Sequence, residues 1–93
     1  MRDGLNIFPY TGSKKWYKND EYHRLNGPAF ICNNEYRAWY IDGSYHRLDG
    51  PAREWFAGAF AGLTEWYYHG EQIKCKNQKE FDRIIQLRIF WDK

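Results

Sequence analysis

The sequence predicts an α+β domain: an antiparallel β-meander of about two and a half hairpin repeats, capped by a C-terminal α-helix. Three observations lead to this prediction. One aromatic motif recurs along the chain, turn-forming residues separate short aromatic runs about every 8 to 12 residues, and the last segment changes to helical spacing. The chain has 93 residues, so we expect a single domain.

The composition favours a globular, cytoplasmic protein. The 19 aromatic residues outnumber the 5 Leu and 7 Ile, and the chain contains no Val. Disordered chains lack aromatic residues, and no apolar run reaches the roughly 18 residues of a membrane span. No secretory signal pattern opens the sequence, so we expect neither export nor membrane insertion. The net charge of +2 is far below that of a dedicated nucleic-acid binder.

An internal repeat organises the chain. Residues 16–29 and 39–52 are identical at nine of fourteen positions and lie 23 residues apart. A third, partial copy starts at Trp66 and departs from the motif at its His-Arg and Gly positions. Asp3-Gly4 resembles the end of a preceding copy. The predicted units are a degenerate half-repeat (1–13), repeat 1 (14–36), repeat 2 (37–62, with an inserted loop at 57–62), partial repeat 3 (63–76) and a C-terminal helix and tail (77–93).

Each copy is expected to form a β-hairpin. Asp42-Gly43 is a type I′ turn signal, because both turn positions need a positive φ. Asn19-Asp20 and His69-Gly70 occupy the same place in the other copies. Gly27 and Gly50, each before Pro, are interpreted as positive-φ turn positions. The pattern predicts six or seven short strands, in which adjacent Trp and Tyr side chains form one ring ladder on each face.

The C-terminal segment is predicted to be helical over about residues 77–88. Asn77 and Glu80 have the spacing of a capping box, and Phe81, Ile84 and Ile85 follow at helical spacing. Beyond residue 88 the alternation of apolar residues fits an extended tail as well as a helix. The helix is expected to lie across one sheet face and to hide one aromatic ladder.

The motif Trp-Tyr-x-x-Gly-x-x-His-Arg-x-Asp-Gly-Pro-Ala resembles a repeat of bacteriophage and large-virus proteins, similar in style to MORN-type and antitoxin-like MORN-variant repeats. The resemblance covers roughly residues 13–75. It implies architectural motif residues and binding of proteins or lipids rather than catalysis. In this light the third copy and the helix would cap a short array.

The sequence contains no recognisable catalytic or metal site. His46 is followed by Asp49, but the matching residue after His23 is Asn26, so a catalytic carboxylate is missing from one copy. Cys32 and Cys75 lie far apart in the sequence and are interpreted as reduced thiols rather than zinc ligands. A disulfide between them stays open as an alternative, because its geometry does not follow from the sequence. We therefore predict a non-enzymatic protein without metal or cofactor, in which each His bonds a neighbouring strand or turn and each Arg stacks on a repeat aromatic ring.

Trp, Tyr and Arg are enriched at protein interfaces, so the favoured function is protein binding. Together with the resemblance, this predicts a phage-type accessory protein that binds and inhibits a host defence protein in the host cytoplasm. Two alternatives stay open: a single-stranded nucleic-acid binder that combines aromatic rings with Lys and Arg, and a purely structural virion or antitoxin-like protein. The candidate contact residues are Trp16, Tyr17, His23, Arg24, Trp39, Tyr40, His46, Arg47, Phe60, Trp66 and Tyr67.

Overall fold

The computed structural model describes residues 3–8 and 12–91 and confirms the α+β class. Within these residues the chain forms ten short strands, one 3-10 turn at Gly58–Phe60 and one α-helix. The elements are β1 (Gly4–Phe8), β2 (Ser13–Lys18), β3 (Glu21–Tyr22), β4 (Phe30–Cys32), β5 (Tyr36–Ala38), β6 (Tyr40–Ile41), β7 (Ser44–Tyr45), β8 (Arg53–Trp55), β9 (Thr64–Tyr68), β10 (Glu71–Ile73) and α1 (Gln78–Trp91).

Eight of the strands form one antiparallel sheet in the order β1-β2-β4-β5-β8-β9-β10, with β3 paired to β2. Strands β6 and β7 form a separate hairpin. The chain thus forms ten strands where six or seven were predicted. The hairpin of repeat 2 lies outside the main sheet, because the chain leaves that sheet after Ala38 and then pairs Tyr40 with Tyr45. The result is a slab 44 × 32 × 17 Å in extent.

The three motif turns confirm the type I′ prediction. Both turn residues have positive φ in Asn19-Asp20 (52° and 63°), Asp42-Gly43 (48° and 83°) and His69-Gly70 (46° and 84°). Asn and Asp tolerate this left-handed region better than most residues, and the right-handed strand twist favours these turns. Asn33, in the turn between β4 and β5, also has a positive φ of 51°.

Successive units repeat the same backbone hydrogen bonds. The N–H of Trp16 donates to the carbonyl of Ala29 at 2.8 Å, and the N–H of Trp39 donates to the carbonyl of Ala52 at 2.8 Å. Both alanines are fully buried. A side chain larger than a methyl group has no space at a fully buried position, so the Pro-Ala ending that repeats 1 and 2 share allows this close approach of the backbones.

The helix begins as predicted and ends later than predicted. The side chain of Asn77 accepts the N–H of Glu80 at 2.9 Å, which confirms the N-cap. The helix runs to Trp91, so the alternative of an extended chain after residue 88 is wrong for residues 89–91. Arg88, in the last turn, pairs with Glu71 of β10 at 2.6 Å and ties this end of the helix to the sheet.

The helix closes the end of the array rather than covering an aromatic ladder. Phe81 and Ile85 pack with Trp66 and Ile73 in the buried core, and the Phe81 and Trp66 ring centroids lie 5.0 Å apart. Arginine side chains, described below, cover the equivalent rings of repeats 1 and 2. The prediction that the helix hides a whole ladder is therefore wrong. In the part of the chain that the structure describes, no helix is long and apolar enough to span a membrane.

Candidate functional site

The His-Arg pair of each repeat stands where the motif hairpin meets the next unit. The N–H of His23 donates to the carbonyl of Trp16, and the N–H of His46 donates to that of Trp39, both at 3.0 Å. These bonds extend each hairpin by one residue. The backbone N–H of the arginine that follows donates to the next unit. The N–H of Arg47, for example, donates to the carbonyl of Tyr67 at 3.4 Å.

The two histidines join neighbouring units through their side chains. Nδ1 of His23 accepts the N–H of Asp42 at 3.0 Å, and Nδ1 of His46 accepts the N–H of His69 at 2.9 Å. The acceptor is in each case the imidazole of one unit, and the donor is the first turn residue of the next. An Nδ1 that accepts a hydrogen bond carries no proton, so this contact requires the neutral ring.

His46 is held in that neutral state. Burial and the neighbouring His69 imidazole lower the pKa of His46 below its ordinary value. The two rings are stacked with centroids 4.1 Å apart, and Tyr68 lies 5.3 Å from His46. The predicted contact between each histidine and a neighbouring turn is present in both copies.

Each arginine of the motif stacks on the tryptophan of its own unit. Cζ of Arg24 lies 3.9 Å from the ring centroid of Trp16, and Cζ of Arg47 lies 3.7 Å from that of Trp39. Both side chains also donate from Nη1 to a proline carbonyl, at 3.2 Å for Arg24 and 3.0 Å for Arg47. The predicted stacking of Arg on a repeat ring is thus observed, and the guanidinium is fixed in its plane.

The motif glycines act through close approach and not through a positive φ. Neither Gly27 nor Gly50 has a positive φ, so the prediction of a left-handed turn position is wrong for both. A Cβ atom on Gly50 would lie 2.6 Å from Cζ of Arg47, and one on Gly27 would lie 3.0 Å from Cζ of Arg24. The absent side chain leaves room for the guanidinium, which lies between the glycine and the tryptophan ring.

The tyrosines of the motif form a continuous internal stack. Neighbouring ring centroids are 4.6 to 5.1 Å apart in the series Tyr17, Tyr22, Tyr40, Tyr45 and Tyr67. Aromatic pairs at such distances add about 0.5–1.5 kcal/mol beyond the area they bury. Tyr17 is buried and the other four rings are half-buried. Each ring contacts the next, so the stack joins the units.

Burial changes the acidity of the phenols around this stack. It raises the pKa of Tyr36 to about 12 and raises the pKa of Tyr40 above its ordinary range. Nε of Arg53 donates to the Tyr36 hydroxyl at 2.9 Å, and its Nη1 donates to Glu65 at 2.9 Å. These groups are neutral or paired, and their contacts lie within the fold.

A groove of about 760 Å³ separates the His-Arg loops of repeats 1 and 2. We call it the inter-repeat groove. We call the two loop segments that line it, residues 24–28 and 46–49, its lips. Leu25 of the first lip is 78% exposed, and Leu48 of the second is 54% exposed. The carbonyl of Leu48 accepts a hydrogen bond from Gln78 at 2.8 Å, so the helix start supports this lip. The groove is lined by residues 24–28, Trp39, Ile41, residues 46–49 and His69.

Four of the predicted contact residues line this groove: Arg24, Trp39, His46 and Arg47. The other seven lie elsewhere in the fold. Trp16 lies beneath Arg24, and His23 bonds the turn of the next unit. Tyr17, Tyr40 and Tyr67 belong to the internal stack, Trp66 lies in the core beneath the helix, and Phe60 is 61% exposed on the inserted loop.

Sequence reasoning missed Leu25 and Leu48. Both occupy the same motif position and are identical in the two copies, although they stand in a turn rich in polar residues. An apolar residue repeated at a loop position was the available signal.

Within residues 3–8 and 12–91, no group of three or more His, Cys, Asp or Glu side chains could hold a metal ion. Cys32 and Cys75 are both free, and burial raises the pKa of the Cys75 thiol.

Comparisons of the chain with family models, with curated proteins and with solved structures give no match.

Proposed function

We propose that this protein is a small non-enzymatic module that binds a protein partner in the inter-repeat groove. One observation carries the proposal: both repeats contribute the same leucine, exposed, to the lining of one groove. Covering a Leu side chain contributes about 1.5–3 kcal/mol, so two such residues can anchor a partner. The module would act in the cytoplasm, and the resemblance to viral repeats suggests a host protein as its partner.

The side chains that line the groove support this proposal because contacts within the protein already hold them in place. Arg47 is held against Trp39 by its bond to the Pro51 carbonyl and by the close approach of Gly50. Nδ1 of His46 is held by a hydrogen bond on the same side. A site that needs little ordering loses less conformational entropy when a partner binds.

The histidine geometry supports a non-enzymatic role. Catalysis by a histidine base requires a ring nitrogen free to take a proton from the substrate, and a partner that orients the ring. Nδ1 of His23 and Nδ1 of His46 already accept backbone hydrogen bonds that join the units. Mutation of either histidine is therefore expected to change stability first.

Single-stranded nucleic-acid binding has weaker support from the geometry. That function needs aromatic faces that are open for bases to stack on. The motif tyrosines stack on one another, and the Trp16 and Trp39 rings are covered by Arg24 and Arg47. The Lys15 ammonium nitrogen lies over two rings as well, 4.6 Å from the centroid of Phe8 and 5.5 Å from that of Phe30, so these rings are also partly covered.

The test is affinity capture with a groove variant and a matched control. Leu25→Gln/Leu48→Gln removes both lip anchors, and Leu63→Gln/Leu87→Gln alters two other exposed leucines. These side chains are exposed, so both variants should fold with melting temperatures close to wild type.

We expect wild type and the control to retain the same host protein from a lysate, and the groove variant to lose it. Equal retention by all three proteins would place the interface elsewhere. Retention of nucleic acid alone, released at moderate salt, would contradict the proposal in favour of the nucleic-acid alternative.

A further inference from the structure

The two motif arginines have the same place in their repeats but different charge environments. Nε of Arg47 donates to Asp49 at 3.0 Å, and its Nη1 donates to Glu54 at 3.2 Å. Arg24 stacks on its tryptophan and donates Nη1 to a proline carbonyl, but among the described residues no carboxylate lies within 4.0 Å of its guanidinium.

The sequence explains the difference position by position. In repeat 1, Asn26 occupies the place of Asp49, and Ile31 occupies the place of Glu54. Both acidic partners of the guanidinium are thus replaced by uncharged residues, while the arginine, its tryptophan and its glycine are kept. One lip of the inter-repeat groove consequently carries an uncompensated positive charge, and on the other lip the guanidinium is paired with two carboxylates.

We infer that the inter-repeat groove takes an acidic, apolar segment of its protein partner, with an Asp or Glu carboxylate on Arg24 and apolar side chains on Leu25 and Leu48. This inference rests on the proposed function, and it adds the chemistry of the partner. Repeat 2 provides the template, because Arg47 holds a carboxylate at Nε in the geometry that Arg24 offers to a partner.

The shape of the site favours a planar carboxylate. Trp16 covers one face of the Arg24 guanidinium, and Gly27 approaches it so closely that an added Cβ would lie 3.0 Å from Cζ. The open approach is therefore along the edge, where the N–H groups point. Carboxylates meet guanidinium edges in this coplanar way.

The surroundings favour one isolated acidic residue over a polyanion. Leu25 and Leu48 border the site, and Asp49 is 88% exposed on the opposite lip. A nucleic-acid strand would bring successive phosphates toward Asp49 and would leave the leucines uncovered. A peptide with one acidic residue among apolar ones avoids both costs.

The test uses a random peptide library displayed on phage and panned against the wild-type protein. Enriched peptides are synthesised, and their affinities for wild type and variants are measured by fluorescence anisotropy. Asn26→Asp installs in repeat 1 the carboxylate that repeat 2 already has. Asp49→Asn removes that carboxylate from repeat 2 and is the matched control. Melting curves establish that both variants fold.

We expect the enriched peptides to contain Asp or Glu beside apolar residues. Asn26→Asp should weaken their binding roughly fivefold, the range of a partly exposed ion pair. The difference should shrink at high salt. Asp49→Asn should bind them at least as tightly as wild type, and replacement of the acidic residue by Asn or Gln in the peptide should abolish the effect of Asn26→Asp.

The outcomes separate this inference from the proposed function. Peptides that need Leu25 and Leu48 but lack an acidic residue, and that bind Asn26→Asp as well as wild type, overturn the inference and leave the groove function intact. Peptides that bind the leucine variant unchanged, or failure to enrich any peptide, overturn both. A third outcome would identify the ligand as a phosphate and not as an acidic peptide segment. In that case a single-stranded oligonucleotide would displace the peptides from wild type and would bind Asn26→Asp more weakly.

Discussion

Gly50→Ala should destabilise this protein because the added methyl group occupies the space of the Arg47 guanidinium. The new Cβ would lie 2.6 Å from Cζ and 2.8 Å from Nη1, far inside van der Waals contact. The backbone φ of Gly50 is not positive, so the alanine has no conformational cost of its own. The guanidinium must shift, which weakens its contacts with Trp39 and the Pro51 carbonyl.

The expected magnitude follows from those two contacts. A partly exposed cation–π contact contributes about 0.5–1 kcal/mol, and a hydrogen bond from a charged donor contributes about 1.5–3 kcal/mol. Replacing Gly by Ala at a compatible φ returns roughly 0.4–1 kcal/mol through the unfolded state. The net loss for Gly50→Ala should be about 2 kcal/mol. Gly27→Ala should cost less than Gly50→Ala, because its Cβ would lie 3.0 Å from Cζ of Arg24 and a smaller shift of that side chain makes room for it.

Urea denaturation followed by Trp fluorescence measures this loss as a free energy of unfolding. The decisive experiment is a double-mutant cycle with Arg47→Ala. In that background Gly50→Ala should be neutral or slightly stabilising, because the guanidinium is gone. If Gly50→Ala costs the same with and without Arg47, the close-approach explanation is refuted and the glycine is needed for its backbone.

Three further predictions concern pH and the helix. The pKa of His46 is lowered in the folded state. The contribution of His46 to stability is therefore complete above its unfolded pKa of about 6.5 and declines as the pH falls below that value. Between pH 7 and 5, the urea midpoint should fall less in His46→Asn than in wild type. The pKa of Tyr36 is raised to about 12 in the folded state, so stability should be lost as the pH rises through about 10, where the phenol of the unfolded chain ionises. Thermal melts at pH 9 and pH 11 should show a smaller loss for Tyr36→Phe than for wild type. Asn77→Ala removes the acceptor for the Glu80 N–H and should lower the free energy of unfolding by about 1 kcal/mol; Asn77→Asp should retain most of it, and equal loss in both variants would contradict a capping role.

Most of the fold could be predicted because its signals are local. A type I′ turn depends on the φ preference of two adjacent residues, and the residue types of Asp42-Gly43 favour the positive φ that both adopt. The helix start depends on Asn77 and the three residues after it. The role of Gly50 was predicted incorrectly, because its constraint is a side chain that approaches from outside the turn.

The candidate site was predictable only in part. The repeat made Arg24, Trp39, His46 and Arg47 conspicuous, but their identity did not say which contacts they make. The exposure of Leu25 was hidden, since loop position and side-chain type are poor guides to burial.

The sequence by itself determined a repeated β-hairpin unit and a capped helix, since turns, strand alternation and caps depend on residues a few positions apart. The tertiary structure decided how the units meet: His46 bonds a turn 23 residues away, and Phe81 packs on Trp66, the ring equivalent to those that Arg24 and Arg47 cover. It also placed Leu25 and Leu48 across one groove. These contacts depend on the distance between units, which is set only when the tyrosine rings stack and the buried alanines close the backbone spacing.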